Sequence, residues 1–260
     1  MTLKTLALTT GLALAASSAT AVELSSLALD YTKINADQSY DGVGESLIGG
    51  EAVLSFGPSF TLNINGAASI VEDGTGDTRF GIEGRFALGE GKFVGVYREV
   101  NDLAGAGGMV GKVNTYGLSG GIASGDWSLE GFFGKNEVTP LGAPADQTAV
   151  GIDLGFQATE KLNLGLFFTQ EFSDFEDNMV YGVTAGYQIG GAGSTRPVYI
   201  LGSFSRYTGD FDEFDTVSLT LSVPLSGEVA NKGRRSFNKH TIAINAISMM
   251  PDFGACIPGC

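Results

Sequence analysis

From Asp126 to Glu171 the chain alternates apolar residues with polar or small ones at a period of two. Successive side chains of a strand point to opposite sides, so this stretch sorts onto two faces. One face carries Trp127, Leu129 and Phe133, then Val150, Ile152, Leu154 and Phe156, then Leu162, Leu164, Leu166 and Phe168. The other carries Ser128, Glu130 and Asn136, then Gly151, Asp153, Gly155 and Gln157, then Asn163, Gly165, Thr169 and Glu171. The pattern predicts three strands with one oily side and one small, wet side. A long polar connection (138–146) joins the first two, and a short one (158–161) joins the second and third.

The same reading predicts strands over 24–33, 46–56, 60–71, 78–88, 92–100 and 113–123 before this region, and over 178–189, 198–207 and 216–223 after it. The set comes to about twelve, an even number that brings both chain ends to one side of a closed antiparallel barrel. Tight connections rich in Gly, Pro, Ser and Asp (57–59, 89–91, 124–126, 158–161) alternate with mostly longer ones (34–45, 72–77, 101–112, 138–146, 173–177, 208–215). Short turns at one end and longer loops at the other are the pattern of transmembrane barrels. Only the 190–197 connection departs from it. In a soluble sandwich the oily faces turn inward. In a barrel of this size they face lipid, and the polar faces enclose the lumen.

Several strands sort cleanly: Phe60, Leu62, Ile64 and Ile70 against Thr61, Asn63, Asn65 and Ser69; Phe80, Ile82, Phe86 and Leu88 against Arg79, Glu83 and Arg85; Val217, Leu219, Leu221 and Val223 against Thr216, Ser218, Thr220 and Ser222. The segments 93–98 and 198–206 carry apolar residues on both faces, which leaves their register open. Arg98 and Arg206 are expected to point away from lipid, where a cation costs about 2–4 kcal/mol at the midplane and less near the rim. Aromatic residues gather at strand ends as interface girdles do: Phe56, Phe60, Phe86, Trp127, Phe156 and Tyr187 at the short-turn level, Phe80, Tyr116, Phe168 and Tyr181 at the other.

Composition agrees with strands. Glycine supplies 39 of 260 residues, charged residues only 17 %, and 43 % of the chain is hydrophobic, a profile unlike that of a helical enzyme or a disordered chain. The net charge of -14 speaks against nucleic acid, whose phosphates call for Lys and Arg. No apolar run reaches the roughly 18 residues of a spanning helix. Residues 1–21 read as a secretory leader: Lys4, an apolar middle, then Ala19-Thr20-Ala21 as the cleavage signal. The mature chain is expected to begin near Val22.

With these elements in place, the sequence resembles the porin-like β-barrels of Gram-negative outer membranes. YGLSGGIASGDWSLEGFFG and LGFQATEKLNLGLFFTQ are similar to porin hairpins, each an aromatic and glycine-rich strand, a tight polar turn and a second strand. The resemblance covers 22 to about 224 and rests on pattern rather than on a fixed motif. It implies an all-β, closed up-and-down transmembrane barrel in the outer membrane, with lipid and lipopolysaccharide as neighbours, and it carries over no functional residue. Chains of that kind usually end on an aromatic that closes the last strand, and 218–225 has none. The barrel is therefore expected over 22–225, with 226–260 a periplasmic appendage or plug, because Pro224 and the polar run after it break the strand. The alternative is a misplaced last strand, with 240–248 belonging to the sheet.

Candidate chemistry is sparse. The single histidine, His240, lies in the tail, so no strand brings a base to a nucleophile, and no catalysis and no cofactor are expected. Cys256 and Cys260 are the only cysteines. A small disulfide loop is the favoured reading in an oxidising compartment; a zinc site would need further ligands beyond His240 and Asp252, and a free or intermolecular pair stays open. Acids crowd the longer loops: Asp37, Asp41 and Glu45; Glu72, Asp73 and Asp77; Asp174, Glu176 and Asp177; Asp210, Asp212, Glu213 and Asp215. They could gather cations at a channel mouth, bind divalent ions that bridge lipopolysaccharide, or simply keep the loops solvated.

On the inner faces, Arg79, Glu83 and Arg85 share one strand, while Glu130, Asp153 and Glu171 lie on neighbouring strands of another wall. These six are the expected pore-lining residues. As opposed basic and acidic walls they would set up a transverse field that favours polar solutes; alternatively they pair across a filled barrel. Inner positions rich in Gly, Ala and Ser leave space and favour the open form. The expected function is passive diffusion of small hydrophilic solutes. A non-conducting structural or recognition barrel comes second and a soluble secreted β-protein third.

Overall fold

The computed structural model describes residues 22–36, 44–70, 77–104, 110–139, 145–172, 177–189, 197–209 and 213–227. The leader, the tail with His240, Cys256 and Cys260, and Asp37, Asp41, Glu72, Asp73, Asp174, Glu176, Asp210 and Asp212 lie outside the described residues.

Every described element is a strand: β1 (Val22–Ala36), β2 (Gly44–Phe56), β3 (Phe60–Ile70), β4 (Thr78–Gly89), β5 (Lys92–Ala104), β6 (Val110–Ser124), β7 (Trp127–Thr139), β8 (Ala145–Gln157), β9 (Leu162–Phe172), β10 (Asp177–Ile189), β11 (Val198–Thr208) and β12 (Glu213–Gly227). Each pairs antiparallel with its sequence neighbours, and β12 pairs with β1, so the sheet closes on itself as a twelve-strand up-and-down barrel. Closure leaves no exposed edge. The expected all-β closed barrel is the observed architecture, closed by the twelve described strands; 240–248 lies outside the described residues.

The short turns sit at the rim that holds both ends of the described chain. They work because glycine supplies the left-handed backbone they need: Gly57, Gly89, Gly91 and Gly125 all have positive φ. At Gly91 the demand is also spatial, since a Cβ there would fall 2.0 Å from the Ala123 carbonyl oxygen.

The period-two pattern places the faces as the sequence predicts. Trp127, Leu129, Phe133, Ile152, Leu164, Leu166, Val217, Leu219 and Leu221 are exposed on the outside, while Arg79, Glu83, Glu130, Asn136, Asp153, Thr169, Glu171, Thr220 and Ser222 are buried inside. A soluble protein has the reverse arrangement, and an apolar surface spread around the whole molecule far exceeds the few hundred Å² usual for one. The short-turn rim carries packed aromatic pairs on the outside. Phe60 contacts both Phe56 (centroids 5.5 Å apart) and Phe86 (4.8 Å), and Trp127 lies 4.4 Å from Phe156.

Two expectations about backbone and register are corrected. Pro224 does not end the last strand. β12 runs on to Gly227, and the register slips where Ala28 faces Pro224 and Leu27 faces Ser226, leaving Leu225 bulged. A bulge is where a strand tolerates a residue without an N–H. Arg98 and Arg206 do not turn inward. Phe93, Tyr97 and Glu99 occupy the inner face of β5, which puts Arg98 outside with Val94 and Val96. On β11 Tyr199 and Tyr207 are the buried, inner residues, which puts Arg206 outside with Phe204.

Candidate functional site

The lumen is the concave surface of this fold, and two stretches of its wall differ in chemistry. The charged part spans β4 to β9. Arg85 of β4 extends over the inner face, with its Cγ 3.4 Å from where a Cβ on Gly95 of β5 would lie, and its guanidinium lies 4.3 Å above the Phe93 ring. Its Nη2 donates to Glu83 Oε2 at 2.7 Å and to Glu130 Oε1 of β7 at 2.9 Å. Ser119 of β6 donates its hydroxyl to the other Glu83 oxygen at 2.5 Å. Four side chains from three strands thus form one network.

This network corrects the expected opposed walls. Arg85 and Glu130 are ion partners, because glycine on β5 lets the long arginine lie along the wall and reach β7. Arg79 likewise has Asp77 at 4.0 Å, and Asp77 is buried at the inner end of β4 rather than exposed among loop acids. Glu213 and Asp215 sit on β12, where both pair with Arg206; Glu45 and Asp177 fall within strand ends.

Asp153 on β8 faces Glu130 across the β7–β8 ladder. Glu171 accepts a 2.6 Å hydrogen bond from Asn136 Nδ2. Glu130 and Glu171 are 1 % and 0 % exposed. All six sequence-predicted lumen residues therefore lie on the inner surface, Arg85, Glu83 and Glu130 in direct contact.

Along β10 to β12 and β1 the wall carries a ladder of hydroxyls. Ser203 meets Ser218 at 2.6 Å, Ser205 meets Thr216 at 2.5 Å, and Thr32 meets Thr220 at 2.7 Å. Tyr207 donates to Asn178 at 2.5 Å and stacks on Phe214 at 4.7 Å.

Inner residues that the sequence reading passed over include Asp30, Glu51, Glu99 and Tyr97, all buried. Asp30 could have been found, since it alternates with Leu29 and Tyr31; Glu99 and Tyr97 lie on the strand whose two faces are both partly apolar. The inner wall carries Asp30, Glu51, Asp77, Glu83, Glu99, Glu130, Asp153 and Glu171, against Arg79 and Arg85 as its cations among the described residues. Its balance is acidic. No group of three or more metal-ligating side chains occurs among the described residues.

The inner glycines are not all empty space. A Cβ at Gly134 would fall 2.2 Å from the Tyr97 hydroxyl, at Gly151 2.2 Å from the Phe132 ring, and at Gly121 2.4 Å from the Phe93 ring. Each glycine leaves room for an aromatic side chain of a nearby strand of the wall.

Comparison with known proteins places this geometry. No family model and no curated protein matches the chain in sequence. Among solved structures, the NanC porin superposes with a TM-score of 0.53 at 8 % identity, covering 75 % of this chain and 98 % of that one. The KdgM porin, in complex with disordered oligogalacturonate, gives 0.52 at 8 % identity over 75 % and 98 %. An outer-membrane channel of Pseudomonas putida F1 gives 0.51 at 11 % identity over 79 % and 97 %. This chain has the fold of a porin-like outer-membrane β-barrel.

Proposed function

We propose that the protein resides in the outer membrane and is a passive channel for small hydrophilic solutes, acting without cofactor and without catalysis. The observation that carries the reading is the inverted distribution of polarity: a continuous apolar exterior around a wall of carboxylates, arginines and hydroxyls. Such a wall replaces part of a solute's hydration while the lipid side stays apolar. The acidic balance of the wall favours cations and neutral polar solutes over anions. The porins and the channel of like fold support transport as the general class. Substrate chemistry does not carry over from them at such low identity.

The test is folded protein in planar bilayers. Ion conductance with a preference for cations is expected, together with solute-driven liposome swelling. A barrel that shows the heat-dependent gel shift of a folded β-barrel yet conducts nothing would refute the channel. In that case the second reading stands, a structural or recognition barrel. The observations that favour it are the near-complete enclosure of Glu130, Glu171 and Asn136 and the Arg85 bridge between Glu83 and Glu130.

A further inference from the structure

Cations on the outer surface of an apolar barrel need an anion, and the fold supplies one for two of them. Arg206 forms a bidentate pair with Asp215, at 2.7 and 2.9 Å, and lies 3.3 Å from Glu213. Lys112 lies 3.4 Å from Asp102. Arg98 and Lys135, like Lys33 and Lys92, have no ion pair among the described residues.

These two are also placed together. Ladder pairing sets Arg98 of β5 opposite Tyr116 of β6, and Tyr116 opposite Lys135 of β7. Three adjacent strands therefore present one row, cation, tyrosine, cation. With strands about 4.8 Å apart, the two cations start about 10 Å from each other. The next outward-facing row toward the short turns is Val96, Leu118 and Phe133, which are 51 %, 61 % and 58 % exposed. The change from bare hydrocarbon to charge takes place between one row and the next. Tyr116 donates its hydroxyl to Glu137 at 2.8 Å, which engages that carboxylate with the tyrosine.

We infer that Arg98, Tyr116 and Lys135 form a binding site for the phosphorylated headgroup of an outer-leaflet glycolipid. This rests on the outer-membrane reading above. Acyl chains lie along Val96, Leu118 and Phe133, and the phosphate sits above them between the two cations. Arginine and lysine can both lean toward the headgroup layer while their methylene stems stay on the apolar surface, and charge-assisted hydrogen bonds hold the phosphate oxygens.

The experiment is native mass spectrometry of the full folded chain released from detergent micelles, titrated with diphosphoryl lipid A or with its dephosphorylated form. The wild-type protein is expected to retain the phosphorylated lipid at least ~10-fold better, the size expected for lost charged hydrogen bonds. Arg98→Gln with Lys135→Gln should abolish that preference; Arg206→Gln and Lys112→Gln should keep it, and Arg98→Lys should keep most of it. Each sample is first checked by heat-dependent gel mobility. If the double variant does not fold, Arg98→Gln and Lys135→Gln taken singly must each weaken retention. The inference is overturned by equal retention of the two lipids, by retention that survives the double substitution, or by displacement of the lipid with excess inorganic phosphate. A chain that stays monodisperse without amphiphile would remove the membrane reading and this site together. A chain that needs amphiphile but shows no preference removes the site alone.

Discussion

Replacing Arg85 with methionine takes away the cation that Glu83 and Glu130 share. The guanidinium lies 2.7 and 2.9 Å from them, and the Glu130 side chain is 1 % exposed. Removing one partner of a buried ion pair costs about 3–5 kcal/mol, because the other charge is left in place without its counter-ion. Arg85 is itself 22 % exposed, and solvent screening puts the expected loss at the low end, about 3 kcal/mol. Glu130→Gln leaves Arg85 with Glu83 and should cost about 1–2 kcal/mol. In the double variant the neutral amide no longer needs the cation. Its loss should fall short of the sum of the two single losses by about 1.5 kcal/mol, well beyond the ~0.5 kcal/mol within which independent sites add. The assay is reversible urea unfolding in lipid vesicles, followed by the fluorescence of the single tryptophan. Additive losses would refute the network.

Charge reversal at the same place reads transport instead: Arg85→Glu should raise the cation preference of single-channel currents, and an unchanged reversal potential would count against Arg85 lining the path. A β-branched side chain at Gly151 must displace the Phe132 ring, 2.2 Å from where its Cβ would lie. Gly151→Val is therefore expected to lower conductance, and adding Phe132→Ala to recover it; no recovery would show that the ring is not the obstacle. On the outer surface, Leu118→Arg should destabilise the barrel in vesicles by about 2–4 kcal/mol, less toward the rim, whereas a loss below ~0.5 kcal/mol would place Leu118 away from lipid. Gly91→Ala forces a positive φ of 67° on a residue with a Cβ and crowds the Ala123 carbonyl. Slower folding and a lower urea midpoint are expected, and an unchanged midpoint would show that the turn can relax.

Sequence and structure agree wherever alternation is clean. Trp127 and Leu129 against Ser128 and Glu130 allow one orientation only, because a one-residue slip would put a carboxylate in lipid and a tryptophan in the lumen. The same logic carried β4, β9 and β12. It failed on β5, where Phe93 and Tyr97 are apolar residues on the inner face. Their partners explain them: Gly121 and Gly117 stand directly opposite and receive the rings. An aromatic facing a glycine in a hairpin is thus a legible sign of an inner wall, once pairing is known. Arg98 can face outward because it stands in the first polar row, where the cost of a cation beside lipid is small. The Arg85 to Glu130 bridge was beyond alternation alone. It spans two intervening strands, and only the glycine at position 95 and the reach of arginine make it possible. Pro224 does not stop β12 because the bulge beside it relieves the missing N–H.

The orientation of the oily face decides the whole account, and the chain carries its own probe of it. Trp127 is the only tryptophan. It is 53 % exposed on the barrel exterior, packed at a tilt against Phe156 at the short-turn rim. The direct measurement is its fluorescence in vesicles whose phospholipids carry bromine along the acyl chains, set against quenching by aqueous iodide. Strong quenching by the brominated lipid with little effect of iodide is the predicted result; efficient iodide quenching with no response to brominated lipid would contradict the outward-facing apolar surface.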